Sequence, residues 1–573
     1  MSNEPTTDRV AAITQLTAPG SPFEIVRATV GGVELPVYAN AAPSMRAVYE
    51  RSLEYGDRTF LVHADTRWSY REHGERVRRL AAHLTELGIG QGDRVVIAMR
   101  NYPEWVLAFW TIQAIGAVAV PLNAWWTASE LEYGLDDSGA VAAVVDDERL
   151  VRLTDRLPVL RAVYVARSRE AVPAWAHRLE DVIEAAGEPP ALPAVEIAPD
   201  DPSTIMYTSG TTGRPKGAVQ THRNHCTNLM NTTLGGALAA AMAPAPTGQT
   251  LPATPAPTVG LQTFPFFHIG GLTGLYVSTA FGATLVCMYK WDPAEAVRLI
   301  VAEGITSVSG VPTVIRQLFD ELDREGVVAE SLGSVSSGGA PVPPSLIDRI
   351  GERSGRGIRP ANGYGLTETT SAVVSNSGAD YYDHSDSVGR PVPVAEVSIR
   401  DELGQAVTDG TTGELWVRGP NVVAGYWNNP EATAAAFTDG WFHTGDAAYV
   451  DNGFVYVVDR LKDVVLRGGE NVYCAEVEAA LHAIPGIVDV AVIGVPHDVL
   501  GEEVAAIVEL APDAELTGAE IQRRLAEHLA SFKVPSIVRR TSEPLPRTAT
   551  GKVLKRDLRS AVERGDPIFV TLD

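Results

Sequence analysis

Helical segments and short β-rich runs alternate along much of this chain. A helical pattern at 70–87 is followed by a β-rich run at 94–99, an apolar helix after Pro103 and another β-rich run at 140–146. The alternation returns after residue 261, with β-rich runs at 284–288 and 307–310. Helices and strands that take turns usually build layered sheets, so the pattern predicts an α/β fold.

The pattern changes near the carboxyl-terminal end. From Glu396 onward, β-rich runs such as EVSIRDELG and GFVYVVDR follow one another, which predicts a separate small sheet. The last hundred or so residues are mixed in character and long enough to form an independent domain. We therefore predict a large multi-layer N-terminal domain, residues 1–461, with two α/β subdomains and a β-rich subdomain. A small, mobile α+β domain, residues 462–573, follows it.

Length, charge and cysteine content exclude several classes of protein. The 573 residues exceed what one hydrophobic core supports, and the net charge of -24 gives no attraction for nucleic acid. Three distant cysteines without metal-ligand spacing favour buried thiols and a reducing compartment. The first residues lack a secretory signal pattern, and the longest apolar run, 106–120, is too short to span a membrane. We expect a cytoplasmic protein without an integral membrane segment.

Residues 235–258 interrupt the alternation of helices and strands. Their sequence, GGALAAAMAPAPTGQTLPATPAPT, is low in complexity and contains few large apolar side chains. A segment of this composition has little surface to bury, so we expect an exposed, mobile insertion.

The most specific motif is the run YTSGTTGRPKG at 207–217. Its glycines let backbone N–H groups converge on an anion, its hydroxyls add donors, and Lys216 adds a positive charge. The run therefore predicts a cradle for nucleotide phosphates. A Walker A loop is excluded, because Gly217 follows the lysine where that loop requires Ser or Thr. The residues expected to bind the nucleotide here are Thr208, Ser209, Gly210, Thr211, Thr212, Gly213 and Lys216.

Together with the motifs that follow it, this run resembles the adenylate-forming (ANL) superfamily of acyl-CoA synthetases, peptide-synthetase adenylation domains and beetle luciferases. The likeness extends from about Leu53 to Leu554 and points to the acyl-CoA synthetase, or fatty-acid-CoA ligase, branch. The resemblance implies an AMP-forming acid–thiol ligase. Such an enzyme joins a carboxylic acid to ATP as acyl-AMP with release of pyrophosphate, then transfers the acyl group to coenzyme A.

Two glycine-rich segments, GGAP at 338–341 and NGYGLTET at 362–369, resemble the family's adenine-binding motifs. The resemblance implies that Tyr364 stacks on adenine, that Asn362 bonds to its edge and that Thr367 contacts the α-phosphate. A carboxylate beside phosphates needs a bridging cation, so Glu368 implies Mg²⁺, held together with Thr208. Further residues expected at this site are Gly338, Gly339, Ala340, Gly363 and Gly365.

The motif HTGD at 443–446, together with Arg460, resembles the family's ribose-binding pair. Asp446 offers two acceptor oxygens, which suits the two neighbouring hydroxyls of a ribose. The motif LPRTATGK at 545–552 resembles the carboxyl-terminal catalytic motif. There, Lys552 would offset the negative charge that develops on the α-phosphate.

The same resemblance makes Lys462 a hinge between two half-reactions. In one pose of the small domain Lys552 faces the phosphate; in the other, RGGEN at 467–471 replaces it. Gly468 and Gly469 would then line a tunnel for the pantetheine arm of CoA. Cys474, where relatives usually carry proline, adds a thiol near that tunnel, and inhibition by thiol reagents stays open.

The run FPFFHIGG at 264–271 resembles the segment that begins the family's acyl pocket. Amino-acid-activating relatives carry aspartate where His268 stands, so an amino acid would bury an unpaired ammonium here, which excludes a peptide-synthetase activity. His268 is expected to gate the carboxylate and the thiol path. Glycines would leave open volume between apolar walls, which suits a fatty or aromatic acid. These glycines are Gly270, Gly271 and Gly274, and the walls are Ile269, Leu272 and Leu275.

Two alternatives to the acyl-CoA ligase stay open. The first is an acyl-AMP ligase that loads a carrier-protein phosphopantetheine, and the second is a catalytically inactive regulator that binds adenylates. Trp125 and Trp126 stand where relatives often carry proline and a basic residue, which favours packing or a subunit contact. A homodimer therefore stays open as well, and the sequence does not identify the acid.

Overall fold

The computed structural model describes residues 4–153, 155–208, 214–242, 258–354, 357–548 and 551–572. Its helices are α1 (Glu4–Leu16), α2 (Met45–Ser52), α3 (Tyr70–Glu86), α4 (Pro103–Ala114), α5 (Ala128–Ser138), α6 (Asp147–Arg152), α7 (Leu179–Ile183), α8 (His222–Ala241), α9 (Ile269–Ala280), α10 (Pro293–Glu303), α11 (Pro312–Glu325), α12 (Pro344–Ser354), α13 (Ala379–Asp383), α14 (Pro430–Ala436), α15 (Cys474–His482), α16 (Gly518–Leu525) and α17 (Lys555–Glu563).

The strands are β1 (Ile25–Val30), β2 (Val33–Tyr38), β3 (Thr59–His63), β4 (Thr66–Ser69), β5 (Arg94–Ala98), β6 (Val118–Pro121), β7 (Ala142–Asp146), β8 (Ala162–Ala166), β9 (His177–Arg178), β10 (Pro202–Thr208), β11 (Lys216–Thr221), β12 (Val259–Gln262), β13 (Thr284–Cys287), β14 (Ser307–Gly310), β15 (Ser334–Gly338), β16 (Arg359–Leu366), β17 (Ser371–Ser377), β18 (Arg390–Pro391), β19 (Glu396–Arg400), β20 (Gly413–Arg418), β21 (Phe437–Thr438), β22 (Trp441–Asp451), β23 (Phe454–Arg460), β24 (Val465–Arg467), β25 (Glu470–Val472), β26 (Ile487–His497), β27 (Gly501–Leu510), β28 (Ile537–Thr541) and β29 (Phe569–Thr571).

Two large sheets carry most of the amino-terminal part. The first has seven strands in the order β11-β10-β6-β5-β7-β8-β9, and all its neighbours are parallel except β10 and β11. The second has nine strands in the order β18-β17-β16-β15-β14-β12-β13-β3-β4, with a parallel centre and antiparallel edges. A large apolar core that includes α3, α4 and α9 packs beside them. This arrangement confirms the predicted α/β class.

The described residues also form three smaller sheets, the smallest of which pairs β1 with β2. A five-stranded antiparallel sheet contains β19 to β23, as predicted from the β-rich runs after residue 396. A six-stranded sheet, β24 to β29, packs with α15, α16 and α17 as the α+β part. The chain passes from one sheet to the other between Arg460 and Val465. A domain boundary at Lys462 stays a prediction.

Helix α4 accounts for most of the longest apolar run of the sequence. All twelve of its residues are buried, including Trp105 and Trp110, so the run forms the centre of the core. Over the ranges given above, the structure contains no helix with the length and apolarity needed to cross a membrane.

The first part of the expected insertion at 235–258 is exposed at Gly235, Gly236, Ala240 and Ala241, as predicted, but it continues helix α8 instead of forming an insertion. Residues 235–241 continue α8, and Leu234 and Leu238, one turn apart, are both buried. Alanine and leucine are strong helix formers, and this pair packs one face of the helix despite Gly235 and Gly236. Residues 243–257 lie outside the described part of the chain.

The three cysteines are free and buried, as their spacing predicted. Burial raises the pKa of Cys226 to about 12 and raises that of Cys474 further. The Sγ atom of Cys474 lies 3.0 Å from the carbonyl oxygen of Asp463, to which the thiol donates. A buried thiol with a raised pKa is a poor nucleophile, so Cys474 offers no reactive group to a CoA tunnel.

Candidate active site

Parallel strands β15 and β16 bring the two glycine-rich segments side by side. Ser337 pairs with Asn362, and Gly338 pairs with Gly363. A Cβ atom at Gly338 would lie 2.8 Å from the carbonyl oxygen of Gly363, so only glycine permits this approach. Both segments therefore continue past the carboxyl ends of parallel strands, where ligands of open α/β sheets usually bind. The loop after β15 begins with Gly339 and Ala340.

A tight turn follows β16 and places the predicted metal ligand. Thr367–Thr369 forms one turn of 3₁₀ helix, and Thr370 and Ser371 have φ angles of 48° and 79°. A β-branched residue rarely adopts a positive φ, and such strain is common at functional sites. Gly365 is needed here as well, because a Cβ atom would lie 1.9 Å from the carbonyl oxygen of Ser371.

Asp446, which is buried, forms one cluster with Arg460 and Tyr364, which are partly exposed. The pairing of β22 with β23 sets Asp446 opposite Arg460, whose Nε lies 2.6 Å from Asp446 Oδ1. The hydroxyl of Tyr364 donates to Asp446 Oδ2 at 2.5 Å. Burial, followed by the charge of Asp446, raises the pKa of Tyr364, so that its hydroxyl remains a donor. The predicted ribose pair and the predicted adenine residue thus lie together.

Glu368 lies beside Tyr426, which the sequence motifs did not mark as a site residue. The hydroxyl of Tyr426 donates to Glu368 Oε1 at 2.8 Å, and Lys216 Nζ lies 5.0 Å from the centre of the Tyr426 ring. Burial raises the pKa of Glu368, and the charges of Arg460 and Lys216 oppose that shift. Tyr426 is 58 residues from Glu368 along the chain, and no motif marks it.

The ends of the predicted phosphate loop are close together. Strands β10 and β11 form an antiparallel hairpin in which Thr208 pairs with Lys216, and Thr208 Oγ1 donates to the Lys216 carbonyl at 3.4 Å. Gln220, buried on β11, donates to the carbonyl of Thr367 at 2.8 Å and ties the hairpin to the turn that carries Glu368. The residues between the ends, Ser209, Gly210, Thr211, Thr212 and Gly213, lie outside the described residues.

These residues fit a magnesium ion that is bound mainly through phosphates. Among the described residues, no three His, Cys, Asp or Glu side chains form a metal-binding group. Magnesium at such sites usually takes one or two carboxylates, keeps several waters and completes its shell with substrate phosphates. Glu368 offers one buried carboxylate, and Thr208 stands beside Lys216 at the mouth of the phosphate loop.

Lys552 reaches this cluster from the carboxyl-terminal part of the chain. A short turn holds it: Lys552 N donates to Thr548 Oγ1 at 3.1 Å, and Thr548 N donates to the Lys552 carbonyl at 2.7 Å. The side chain keeps contact with solvent but is crowded by protein. Desolvation, then the charges of Arg460 and Lys462, lowers the pKa of Lys552 to about 8, while Asp446 opposes the shift.

His268 lies close enough to Lys552 to interact with its charge. It caps α9, where its Nδ1 accepts the N–H of Gly270 at 3.2 Å, and its ring stacks on Phe264 with 6.0 Å between ring centres. Burial, and secondarily the charge of Lys552, lowers the pKa of His268 to about 4. A histidine with this pKa is neutral at pH 7 and adds no charge to the site.

The expectation of open volume along α9 is wrong at Gly271 and Gly274. A Cβ atom at Gly271 would lie 2.0 Å from the carbonyl oxygen of Pro265, and one at Gly274 would lie 2.9 Å from Gln262 Oε1. These glycines allow the segment before the helix to pack closely against it. The expected wall residues Ile269, Leu272 and Leu275 are buried in the large apolar core.

The hinge and tunnel residues occupy different surroundings. Lys462 lies near the site, and burial is the main cause that lowers its pKa, with Asp463, Arg460 and Asp446 as charged neighbours. Gly468 and Gly469, with φ angles of 59° and 90°, form the exposed turn between β24 and β25. Lys552, rather than this turn, shares charge interactions with Asp446.

The two tryptophans pack within the chain. The guanidinium carbon of Arg100 lies 3.9 Å from the centre of the Trp125 ring, and Phe267 meets that ring edge-on at 5.5 Å. Trp126 meets Tyr207 edge-on at 6.1 Å. Both contacts agree with the packing role predicted for these residues, and Trp125 is 41% exposed.

Comparison with known proteins assigns both parts of the chain. Residues 48–427 match the AMP-binding enzyme family, and residues 476–552 match the AMP-binding enzyme C-terminal domain. A feruloyl-CoA synthase of Amycolatopsis sp is 36% identical over 503 residues, which is 87% of this chain and 95% of that protein. The long-chain-fatty-acid–CoA ligase FadD13 of Mycobacterium tuberculosis is 34% identical over 536 residues, 91% of this chain and 96% of that protein.

Solved structures show the same fold with ligands bound. The o-succinylbenzoate CoA synthetase MenE of Bacillus subtilis, in complex with the acyl-adenylate OSB-AMP, has a TM-score of 0.76 and 28% identity, covering 90% of this chain and 98% of that one. The same enzyme is also known with ATP and a magnesium ion. The chain described here is therefore a member of the AMP-binding enzyme family and belongs to its AMP-forming acyl-CoA ligases, which are acid–thiol ligases.

Proposed function

We propose that this ligase converts a fatty or aromatic carboxylic acid, ATP and CoA into acyl-CoA, AMP and pyrophosphate through an acyl-adenylate, at the site formed around Asp446. The observation that carries the proposal is the charge interaction of Lys552, from the carboxyl-terminal part, with Asp446 and Arg460, which pair across β22 and β23. A lysine from a separate α+β unit beside a ribose-type carboxylate suits adenylation, in which negative charge develops on the α-phosphate.

In the first half-reaction, a carboxylate oxygen of the acid attacks the α-phosphorus of ATP. The new bond joins that oxygen to phosphorus, the bond to the β-phosphate oxygen breaks, and its electron pair leaves with pyrophosphate. Two anions approach each other in this step, so the protonated ammonium of Lys552 offsets the charge that develops on the phosphoryl oxygens. When bound by Glu368 and Thr208, Mg²⁺ supplies further neutralisation of the phosphates.

The remaining predicted residues hold the nucleotide. Asn362 bonds the adenine edge and Tyr364 stacks on the ring, while Asp446 keeps free lone pairs for the ribose hydroxyls beside its bonds to Tyr364 and Arg460. Thr367 contacts the α-phosphate. The backbone after Gly338 and Gly363 approaches the nucleotide closely because neither residue carries a side chain.

In the second half-reaction, the CoA thiol loses its proton to solvent, and its sulfur attacks the acyl carbonyl carbon. The carbon–oxygen bond to phosphate breaks, and AMP leaves with the electron pair of that bond. We propose that the chain turns at Lys462 between the two steps and that the exposed turn at Gly468 and Gly469 then replaces Lys552. His268, neutral at pH 7, gates the route between the carboxylate and the thiol.

The deciding experiment measures pyrophosphate and AMP release with short, medium and long fatty acids and with aryl acids. CoA and a holo-carrier protein are supplied in separate reactions, so that the acceptor is identified together with the acid. The proposal predicts AMP, pyrophosphate and a CoA thioester in a 1:1:1 ratio. Thioester on the carrier alone would instead support the acyl-AMP ligase, and no AMP with any acid would support the inactive regulator.

We further propose that the enzyme works in the cytoplasm and forms a homodimer. Free, buried thiols suit a reducing compartment, and the partly exposed ring of Trp125 suits a subunit contact. Light scattering tests the assembly against the chain mass of 61.2 kDa. A mass near twice this value supports the dimer, and a mass equal to it contradicts the dimer.

A further inference from the structure

Helix α5 packs against the hairpin of β10 and β11, whose strands flank the predicted phosphate loop. Leu131 and Leu135 of α5 are buried in the same apolar cluster as Ile205 of β10. A Cβ atom at Gly134 would lie 2.7 Å from Cδ2 of Leu122, so the helix also packs closely on the segment after β6. Close packing on both neighbours holds α5 in place whether or not a nucleotide is bound.

Two side chains of α5 bond to opposite ends of the phosphate loop. The hydroxyl of Tyr207 donates to Asp137 Oδ2 at 2.6 Å. The hydroxyl of Tyr133 donates to the carbonyl oxygen of Pro215 at 3.1 Å. Because Tyr133 and Asp137 are four residues apart, they lie on the same face of the helix. One helix face therefore reaches the chain both before and after the loop.

These bonds restrain the two residues at the mouth of the loop. Thr208 and Lys216 pair across the hairpin, and they directly follow Tyr207 and Pro215 in the chain. A Cβ atom at Gly217 would lie 3.4 Å from the Tyr207 ring, so that ring packs on the backbone of β11. Neither end of the loop shifts away from α5 without loss of a hydrogen bond.

A tryptophan joins the same helix to the residues around Glu368. Trp427 Nε1 donates to the carbonyl of Asp137 at 3.1 Å, and Trp427 N donates to the carbonyl of Gly217 at 2.7 Å. Trp427 directly follows Tyr426, whose hydroxyl donates to Glu368. The carboxylate assigned to Mg²⁺ and the ends of the phosphate loop are thus tied to one helix.

Both tyrosine hydroxyls remain protonated and able to donate. Burial, followed by the interaction with Asp137, raises the pKa of Tyr207 and that of Tyr133. The two rings meet edge-on, with 6.2 Å between their centres. A hydrogen bond to a carboxylate is about twice as strong as one between neutral groups. The bond from Tyr207 to Asp137 is therefore the contact whose loss should matter most.

Two of the three phosphates of ATP are left to the phosphate loop. In the function proposed above, Thr367 and Lys552 serve the α-phosphate, so the β- and γ-phosphates lie with the loop. AMP and acyl-AMP carry only the α-phosphate. A change at the ends of the loop should therefore weaken the binding of ATP and leave the binding of AMP unaltered.

Resting on the function proposed above, we propose that Asp137 and Tyr133 position the phosphate loop for the β- and γ-phosphates of ATP. Neither residue touches the nucleotide in this account. Both act through the chain at Tyr207 and Pro215, which sets where the hydroxyl and the ammonium at the mouth of the loop meet the phosphates. They are positioning residues for the first half-reaction and have no part in the second.

The first test measures the binding of MgATP and of AMP by isothermal titration calorimetry, without acid or CoA. Tyr207→Phe removes the hydroxyl and keeps the ring. We expect its Kd for ATP to rise about 10- to 100-fold and its Kd for AMP to change less than about threefold. Tyr133→Phe removes only the bond to Pro215 and should shift the ratio of the two constants in the same direction. Equal weakening of ATP and AMP, or unchanged ATP binding in both variants, would overturn the inference.

The second test asks whether Tyr207 and Asp137 act as one pair. Asp137→Asn keeps an acceptor oxygen, so its Kd for ATP should rise less than about threefold, whereas Asp137→Leu should match Tyr207→Phe. The double variant Tyr207→Phe/Asp137→Leu should bind ATP no more weakly than either single variant, because all three lack the same bond. Asp136→Leu is the matched control, because Asp136 is exposed on the same helix and pairs with Arg156. Additive losses in the double variant contradict the inference.

Single-turnover kinetics separate the role of Asp137 from the ligase activity itself. In Tyr207→Phe, acyl-AMP formation should slow about tenfold or more, while conversion of supplied acyl-AMP to acyl-CoA should stay within about twofold. Equal loss of both half-reactions contradicts the inference, and Tyr133→Phe decides the question if Tyr207→Phe does not fold. Failure of the unaltered enzyme to bind ATP and AMP, or to release AMP with any acid, contradicts the proposed function instead.

Discussion

Individual charged side chains set the chemistry of this site, and their surroundings shift their pKa values. Desolvation lowers the pKa of Lys552, the positive charges of Arg460 and Lys462 lower it further, and the carboxylates of Asp446 and Asp463 oppose the shift. Its pKa therefore lies near 8 instead of above 10. Glu368 shifts upward for the same physical reason, since burial disfavours a charged carboxylate.

The pKa of Lys552 predicts a pH limit for adenylation. The protonated ammonium is the active form, so kcat/KM for ATP should fall as pH rises through about 8, measured by pyrophosphate release. Lys552→Arg should move this limit to higher pH, because a guanidinium stays charged. Lys552→Ala should lower adenylation by about 10²–10³ yet spare CoA thioester formation from supplied acyl-AMP. Equal loss of both half-reactions would contradict the assigned role.

Asp446 gives a second prediction at this scale. Asp446→Asn removes the charge that Arg460 and Tyr364 now share and weakens the acceptors offered to the ribose, so KM for ATP should rise about 10- to 100-fold. The ranking of acids should not change. Asp451→Asn, exposed at the end of the same strand, is the control. A changed acid ranking in Asp446→Asn would show that Asp446 contacts the acyl group instead.

Secondary-structure elements position these residues through close backbone contacts. Strands β15 and β16 meet at Gly338 and Gly363, and α9 meets the segment before it at Gly271. Each contact is possible only without a side chain. The glycines of these motifs therefore act through packing, and the positions of His268 and Asn362 depend on them.

Two glycines on neighbouring helices provide a stability test. Gly271→Ala should lower stability by about 1–3 kcal/mol, because its Cβ would meet the Pro265 carbonyl at 2.0 Å. Gly235→Ala on α8 should raise stability by about 0.5–1 kcal/mol, because the space around it is open and alanine favours a helix. Midpoints of urea unfolding measure both. Equal shifts of the same sign would contradict the packing described for α9.

Local patterns in the sequence predicted many elements well. Strand β14 has the predicted bounds, Ser307–Gly310, and α3 ends one residue before the predicted position. The continuation of α8 through Leu238 was not predicted. The low complexity of the segment was given more weight than its two leucines, which have helical spacing.

Contacts between distant parts of the chain set the limit of that prediction. The prediction of open volume at Gly271 was wrong. The Pro265 carbonyl lies next to Gly271, and its position depends on how the chain folds back. Tyr426 was missed for a related reason, since its partner Glu368 is 58 residues away. Motifs indicated the residues that we propose to bind the nucleotide, but one sequence does not state which side chains fill the space between them.

At the scale of the whole molecule, hydrogen bonds between described residues join the carboxyl-terminal part to the rest of the chain. Arg316 on α11 donates to the carbonyl of Val488 at 2.7 Å, and Ala475 N donates to Asp459 Oδ2 at 3.2 Å. A side chain at Gly551 would come within 3.1 Å of Val311. Polar contacts of this kind suit two parts that separate during each cycle.

Lys462→Pro tests that motion. Proline fixes φ at the proposed hinge, so the variant should keep most of its adenylation activity but lose about tenfold or more in CoA thioester formation from supplied acyl-AMP. Lys462→Ala, which leaves φ free, should retain more of the second step. Rapid-quench measurements of each half-reaction separate the two. Equal effects of proline on both steps would contradict a hinge at this residue.

The central claim is that a carboxylate attacks the α-phosphorus of ATP at the site where Lys552 meets Asp446. Isotope transfer from a substrate acid labelled with ¹⁸O in its carboxyl group tests it most directly, with CoA present and the products analysed by mass spectrometry. The account predicts one ¹⁸O atom in the phosphate of AMP and none in pyrophosphate. Formation of ADP, or label in inorganic phosphate or pyrophosphate, would contradict it.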